Sequence, residues 1–154
     1  MKEENTLSGR VRLVTKDTDG SIIKDTGWIK NIITNAGKAQ VALLMGDATA
    51  TPFTYLAVGT SATAVAATDT TLTAEIIDTG LARAAATVSR VTTTVTNDTL
   101  QLAYTWTASG SKTVEEAGIF NASSAGTMLG HALTTSQVLA NGQSLSLVYQ
   151  VKQA

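Results

Sequence analysis

The sequence predicts a mainly β protein: an antiparallel β-sandwich or jelly roll with one short α-helix and an N-terminal hairpin arm. Short runs of alternating apolar and polar residues recur along most of the 154 residues, which is typical of half-buried strands. Glycine, asparagine and aspartate separate these runs and predict turns. Only one segment has helical spacing. We expect residues 1–34 to form the arm and residues 35–154 to form the sandwich domain.

The N-terminal segment is expected to be a hairpin followed by a further extended stretch. Residues 9–15 begin with alternating charged and apolar side chains, the period expected of a strand. Asp17–Gly20 predicts a turn, because aspartate bonds to local backbone groups and glycine accepts a positive φ. Ser21–Lys24 would return as the partner strand, and Trp28–Ile33 is a further extended candidate.

A single helix is predicted from Gly37 to Met45. Asn35 is placed to cap its first turn, and Gly46 is expected to end it. Three apolar residues fall at helical spacing: Val41, Leu44 and Met45. A helix this short depends on packing against a sheet, since helix nucleation is unfavourable at that length.

From Phe53 onward the pattern is almost entirely that of strands. The expected strands are Phe53–Gly59, Ala84–Thr96, Thr99–Thr107, Val114–Ala122, Thr127–Leu133 and Leu145–Lys152. Asn97-Asp98 predicts a hairpin turn, because both residues tolerate a positive φ. Residues 71–76 fit either one helical turn or a strand edge. Two strands have the most regular inward-facing sets: Leu100, Leu102, Tyr104 and Trp106, then Leu145, Leu147, Tyr149 and Val151.

Composition argues against an enzyme and against several kinds of partner. The chain has no cysteine, one histidine, one proline and 15% charged residues, and its formal net charge is −1. A net charge near zero gives the protein no general attraction for nucleic acid or an anionic membrane. No apolar run approaches the ~20 residues that span a bilayer, and the polar first five residues predict no signal peptide. We expect no cofactor, metal or small-molecule substrate.

Individual motifs favour structural roles over chemistry. His131 has no second histidine or any cysteine to share a zinc ion. Asp17–Gly20 resembles the start of a calcium loop but lacks its later glycine and glutamate. Glu115-Glu116 would point to opposite faces of a strand, so one of them could be partly buried and would then need a hydrogen-bond partner. Gly37-Lys38 is not preceded by the glycine-rich spacing of a phosphate-binding loop. The sequence around Ser61 lacks the second glycine of a nucleophile elbow.

The segment from Lys30 to the C-terminus resembles a group of small tailed-phage virion proteins. The residues that carry the resemblance are Lys30–Gly37, Leu56–Thr60, Asp69–Glu75, Val114–Ala122, Gly126–Leu129 and Leu139–Leu147. Members of this group are described as tail-fibre or minor structural proteins, and some are similar to capsid decoration (cement) proteins. The resemblance implies a structural protein of the virion without catalytic residues.

From this resemblance we expect a capsid decoration protein, a homotrimer that is made in the host cytoplasm and binds the major capsid protein on the outer surface of the capsid. Four residues of the arm are the candidates for partner binding: Leu7, Arg10, Arg12 and Trp28. Runs such as Thr92–Thr94 leave strand edges with few charges, which also favours self-association. The alternative is a tail-fibre or baseplate module with a host-receptor or glycan-binding role. A hydrolase is disfavoured, since no nucleophile–base pair is apparent.

Overall fold

Two antiparallel β-sheets contain nearly half of residues 6–153, the part of the chain that the computed structural model describes. This confirms the predicted mainly β fold with one helix. The strands are β1 (Leu7–Lys16), β2 (Ile22–Asp25), β3 (Ile29–Lys30), β4 (Ile32–Ile33), β5 (Tyr55–Gly59), β6 (Ala84–Ala85), β7 (Thr87–Val91), β8 (Thr99–Thr107), β9 (Lys112–Phe120), β10 (Met128–Leu139) and β11 (Ser144–Gln153). The helix α1 spans Asn35–Gly46. Residues 1–5 and 154 of the expected arm and sandwich domain lie outside the described residues.

The two sheets pack over one apolar core. Sheet A has the order β2-β1-β11-β8-β7, with β3 also paired to β1, and sheet B has the order β4-β10-β9-β5-β6. Both sheets contribute to the same buried cluster, as expected of a sandwich. The inward-facing set of β11 is confirmed: Leu145, Leu147 and Tyr149 are fully buried and Val151 nearly so. On β8, Leu102 and Trp106 are buried as predicted.

The predicted N-terminal hairpin is present and is built into sheet A. The turn at Asp17–Gly20 forms as expected, with Gly20 at a positive φ of 85° and its N–H donating to the Asp17 carbonyl. Strand β1 lies between β2 and β11, and it pairs with β11 from Leu7 to Lys16. The described residues before position 35 therefore supply strands to both sheets.

The chain passes from sheet A to sheet B at Asn31. The extended stretch predicted for Trp28–Ile33 is divided there into β3, which pairs with β1, and β4, which pairs with β10. The Asn31 side chain donates to the Tyr149 hydroxyl at 2.5 Å. A Cβ at Gly9 or at Gly130 would overlap this side-chain amide, so both glycines give it room between the sheets.

The helix ends at Gly46 as predicted but differs from its prediction at the N-terminal end and on one face. It begins two residues earlier than expected, and its cap is Thr34 in place of Asn35. The Thr34 hydroxyl accepts from the Gly37 N–H at 2.8 Å and donates to the Met128 carbonyl at 2.5 Å. One side chain therefore starts the helix and ties it to β10. Of the three apolar residues at helical spacing, Val41 and Leu44 pack against the core, whereas Met45 is 81% exposed.

The hairpin between β7 and β8 has a longer turn than predicted. Residues 92–98 connect the two strands, and Asn97 has the expected positive φ of 60°. The Asp98 carboxylate accepts the N–H groups of Thr93, Thr94 and Val95. These bonds satisfy loop amides that a two-residue turn would not have, and they hold the pKa of Asp98 below its usual range.

We expect Gly37→Ala to destabilise the protein by about 1–3 kcal/mol, the usual cost of overpacking. A Cβ at this position would lie 2.6 Å from the Leu129 Cα, so the helix would have to move away from β10. Gly46→Ala is the matched control, because its Cβ would meet nothing within 4 Å and alanine favours helix. Urea denaturation measures both variants, and equal stability of the two would contradict this account of the packing.

Candidate interaction surface

The outer face of sheet B is covered by residues 60–83, the segment between β5 and β6. Leu72 from this segment is buried against Phe120 and Met128 in a second apolar cluster. A Cβ at Gly118 would lie 2.9 Å from a Leu72 methyl group, so the absent side chain gives Leu72 its space. The guanidinium of Arg83 lies 3.6 Å above the centre of the Phe120 ring and pairs with Glu75 at 2.7 Å.

A buried polar group holds this covering segment to the sheet. His131 of β10 is 1% exposed and Glu116 of β9 is fully buried. The Nε2 of His131 lies 2.7 Å from a Glu116 carboxylate oxygen, and its Nδ1 lies 2.8 Å from an Asp69 oxygen. Glu116 also accepts the N–H groups of Thr73 and Ala74 at 3.0 and 2.7 Å. We call Asp69, Glu116 and His131 the latch.

Two expectations from the sequence concern residues of the latch, and the structure agrees with both. His131 is expected to be structural or on the surface, and it is structural, with both ring nitrogens bonded. One of the adjacent glutamates is expected to be buried with a hydrogen-bond partner, and Glu116 is that residue. Sequence reasoning does not connect Asp69 to them, because it is 62 residues from His131 and no local pattern joins distant positions.

The charges of the latch support each other. Burial alone would lower the pKa of His131, but its hydrogen bonds to Glu116 and Asp69 raise the pKa above 6.5. Burial alone would raise the pKa of Glu116, but the bonds from His131, Ala74 and Thr73 hold that pKa below 4.5. Both effects favour an imidazolium between two carboxylates. Such a group is costly to break, since removing one partner leaves a buried charge unpaired.

Neither a side-chain cluster suited to a metal ion nor a helix suited to span a membrane occurs within residues 6–153. No group of three or more His, Cys, Asp or Glu side chains in this part of the chain is arranged to hold a metal ion. No helix among these residues is long and apolar enough to cross a membrane.

The outer face of sheet A, in contrast, is left open. Strand β2 is exposed along its length and β7 along nearly all of it. A chain of hydrogen bonds crosses this face: Arg10 Nε donates to Gln150 at 2.8 Å, Gln150 donates to Gln101 at 2.7 Å, and Gln101 donates to Ser89 at 3.5 Å. These four residues stand directly opposite one another on β1, β11, β8 and β7.

The adjoining rows of this face have small, mostly uncharged side chains. One row consists of Arg12, Val148, Ala103 and Thr87. In the next row the hydroxyls of Thr105 and Ser146 are hydrogen-bonded at 2.8 Å. Short side chains without charge leave a flat surface that costs little to desolvate. We call this outer face of sheet A, including its edge at Arg10, the open face.

The structure brings together three of the four residues that the sequence singled out for partner binding. Arg10 and Arg12 both lie on the open face, and the Arg10 guanidinium lies 4.2 Å from the centre of the Trp28 ring. Arg12 pairs with Asp25, and this hydrogen-bonded partner lowers the pKa of Asp25 to about 2. Leu7 differs in that it packs against the core and lines an apolar groove with Val41 and Leu44, although it also lines a second groove together with Arg10.

Comparison with known protein families places most of the chain in one family model. Residues 31–151, more than half of the chain, match the family model described as "Podophage GP4 fiber I protein gp80". The matched region begins at the passage between the sheets and extends into β11. No curated protein and no solved structure gave a match.

We expect the stability of the protein to fall as the pH rises above 6.5. The folded pKa of His131 is raised, so its stabilising effect is complete below the unfolded value of about 6.5 and is lost as the pH rises through the folded value. A difference of one between the folded and the unfolded pKa corresponds to about 1.4 kcal/mol of stability. Urea denaturation at a series of pH values from 6 to 9 measures this slope.

The control for this prediction is His131→Gln, which removes the only histidine of the chain. The variant is expected to be less stable at pH 6 by about 3 kcal/mol and to lose the extra slope. If the variant and the native protein had parallel profiles over this range, the charged latch would be ruled out.

Proposed function

Because the chain belongs to the podophage GP4 fiber I protein gp80 family of phage virion proteins, we propose that it is a structural subunit of a phage tail fibre. The observation that carries this proposal is the family match over residues 31–151. Capsid decoration was the first expectation and a tail-fibre module was the alternative. The match supports the fibre alternative and gives no support to decoration of the head.

The open face offers a physical means for such a role. A subunit of this kind works by burying surface against its neighbours, and a stable protein interface buries about 1,600 Å² in total. Since residues 60–83 occupy the outer face of sheet B, the open face is the broad sheet surface available to a partner. Arg10, Arg12 and Trp28 lie on it and remain our candidates for contacts. We expect no catalytic role, because the latch residues are used to hold the fold together.

Self-association through the open face also forms part of this proposal, with a homotrimer as the expected assembly. The central positions of the face, Val148, Ala103 and Thr105, are small and uncharged. Edge strand β2 presents Ile22 and Ile23 at 61% and 49% exposure, and an exposed apolar edge favours pairing with another chain.

Immunogold electron microscopy of virions tests the fibre assignment. Antibodies against the purified chain are expected to label tail fibres. Labelling confined to the heads would overturn the fibre assignment and restore capsid decoration.

A single charged substitution tests the role of the open face in assembly. Thr105→Arg is expected to shift the protein from oligomer to monomer in multi-angle light scattering at micromolar concentration, because a charge at the centre of an interface loses its hydration. Thr135→Arg is the matched control, since Thr135 is an exposed threonine on β10 of sheet B. Thermal unfolding checks that both variants fold. A native protein that is already monomeric would contradict the prediction.

A further inference from the structure

Two like charges stand directly opposite each other at the edge of the open face. Arg10 of β1 pairs in register with Lys30 of β3, and both residues are exposed. Like charges directly opposite on a sheet destabilise it. Neither residue forms an ion pair within residues 6–153. Because Arg10 and Lys30 repel each other and have no counter-charge within the described residues, this pair indicates a site for an anion from outside the protein.

A groove of about 400 Å³ adjoins this pair, and a third cation lines it. Lys152 lies on β11 opposite Ser8, two positions along the strand from Gln150. The polar part of the lining consists of Ser8, Arg10, Lys30, Asn31, Thr93, Thr99, Gln150 and Lys152. No carboxylate lines the groove within the described part of the chain. With a formal net charge of −1 for the whole protein, three cations at one groove do not follow from a general excess of basic residues.

The acidic residues of neighbouring segments have partners of their own. Asp25 is bonded to Arg12 and to the Gly27 N–H. Asp98, the last residue of the 92–98 loop, accepts N–H groups of that loop and the hydroxyls of Thr93 and Thr99. Neither carboxylate lines the groove, and within residues 6–153 neither forms an ion pair with a cation of the groove.

Two of the three cations of the groove, Arg10 and Lys152, are held by hydrogen bonds. Arg10 is oriented through its Nε by Gln150, and Gln150 is oriented in turn by Gln101. Lys152 donates to the Thr94 hydroxyl at 2.7 Å. Within residues 6–153 the two terminal amino groups of Arg10 and the ammonium of Lys30 have no hydrogen-bond partner. A fixed guanidinium with both terminal groups free can bind a carboxylate or phosphate in a bidentate manner.

An exposed aromatic ring lies beside these donors. Trp28 is 42% exposed and is held by Arg10, whose guanidinium lies 4.2 Å from the ring centre. A half-exposed indole offers an apolar surface together with a polar N–H. The C–H face of a sugar ring fits such a surface, while the exposed hydroxyl of Ser8 can exchange hydrogen bonds with sugar hydroxyls. An inorganic anion would use the cations alone.

We propose that this groove binds an acidic saccharide, an oligosaccharide whose carboxylate or phosphate groups pair with Arg10, Lys30 and Lys152. The inference rests on the proposed fibre function, which places the chain where it meets saccharides of the host surface. Arg10 provides the bidentate contact, the two lysines add charge, and Trp28 contacts the apolar side of a sugar ring.

Isothermal titration calorimetry on the full chain tests this site with three probes. These are a galacturonic acid oligomer, a phosphorylated oligosaccharide and a neutral malto-oligosaccharide of similar length. At least one acidic probe is expected to bind at least tenfold more tightly than the neutral one, and this binding is expected to weaken with salt. The stronger of the two acidic probes identifies the anionic group. Equal affinity for all three probes, or no binding of either acidic probe, would overturn the proposal.

Matched variants locate the binding. R10Q/K30Q/K152Q is expected to lose at least tenfold in affinity for the acidic probe, since each surface charge pair is worth about two- to fivefold. K16Q/K38Q/R90Q removes the same charge away from the groove and is expected to remain within about twofold of the native protein. Circular dichroism checks the fold of both variants. Equal losses in the two triple variants would show general charge attraction and overturn the site.

The failure of this site and the failure of the fibre function give different results. Gold label on the fibres together with no binding of either acidic probe overturns the saccharide site and leaves the fibre function intact. Label on the heads overturns the fibre function, and with it the premise that brings the groove to a host saccharide.

Discussion

The arrangement of the whole molecule depends on the buried contact of His131 with Glu116 and Asp69. These residues come from β10, β9 and the segment before β6, and their bonds, at 2.7 and 2.8 Å, fasten that segment over sheet B. The same carboxylate of Glu116 satisfies two backbone N–H groups of the segment. A sandwich has two outer sheet faces, and the latch determines that one of them is closed.

The open face has no such covering segment among the described residues, and its centre and its edge differ in chemistry. Its centre has short uncharged side chains, whereas its edge has cations that no described residue neutralises. A flat uncharged centre suits contact with another protein, because little hydration is lost there. A positively charged edge with free donors suits an anion. The uncharged centre of the face is therefore available for assembly beside the charged edge, whereas Arg10 and Trp28 at that edge are shared between the two proposed contacts.

Much of the fold was predictable from residues close together in the sequence. The alternation of β8 and β11, the turn at Asp17–Gly20 and the presence of one helix all follow from local periodicity and turn chemistry. The errors have equally physical causes. Thr34 caps the helix because its hydroxyl also reaches Met128, 94 residues away, and Met45 is exposed because the sheet contacts the other side of the helix. The turn before β8 is longer because Asp98 stabilises a wider loop.

The sequence by itself determined the mainly β class, the approximate positions of most strands, the turn at Asp17–Gly20 and the family resemblance. Only the tertiary structure decided that Arg10 faces Lys30, that Leu7 points inward, and that His131 is a buried link between distant acidic residues. The physical reason is how far apart in the sequence the interacting residues lie. Periodicity and turn preference act between neighbours in the chain, whereas strand register and buried charge pairing join residues that only the folded protein brings within hydrogen-bond distance.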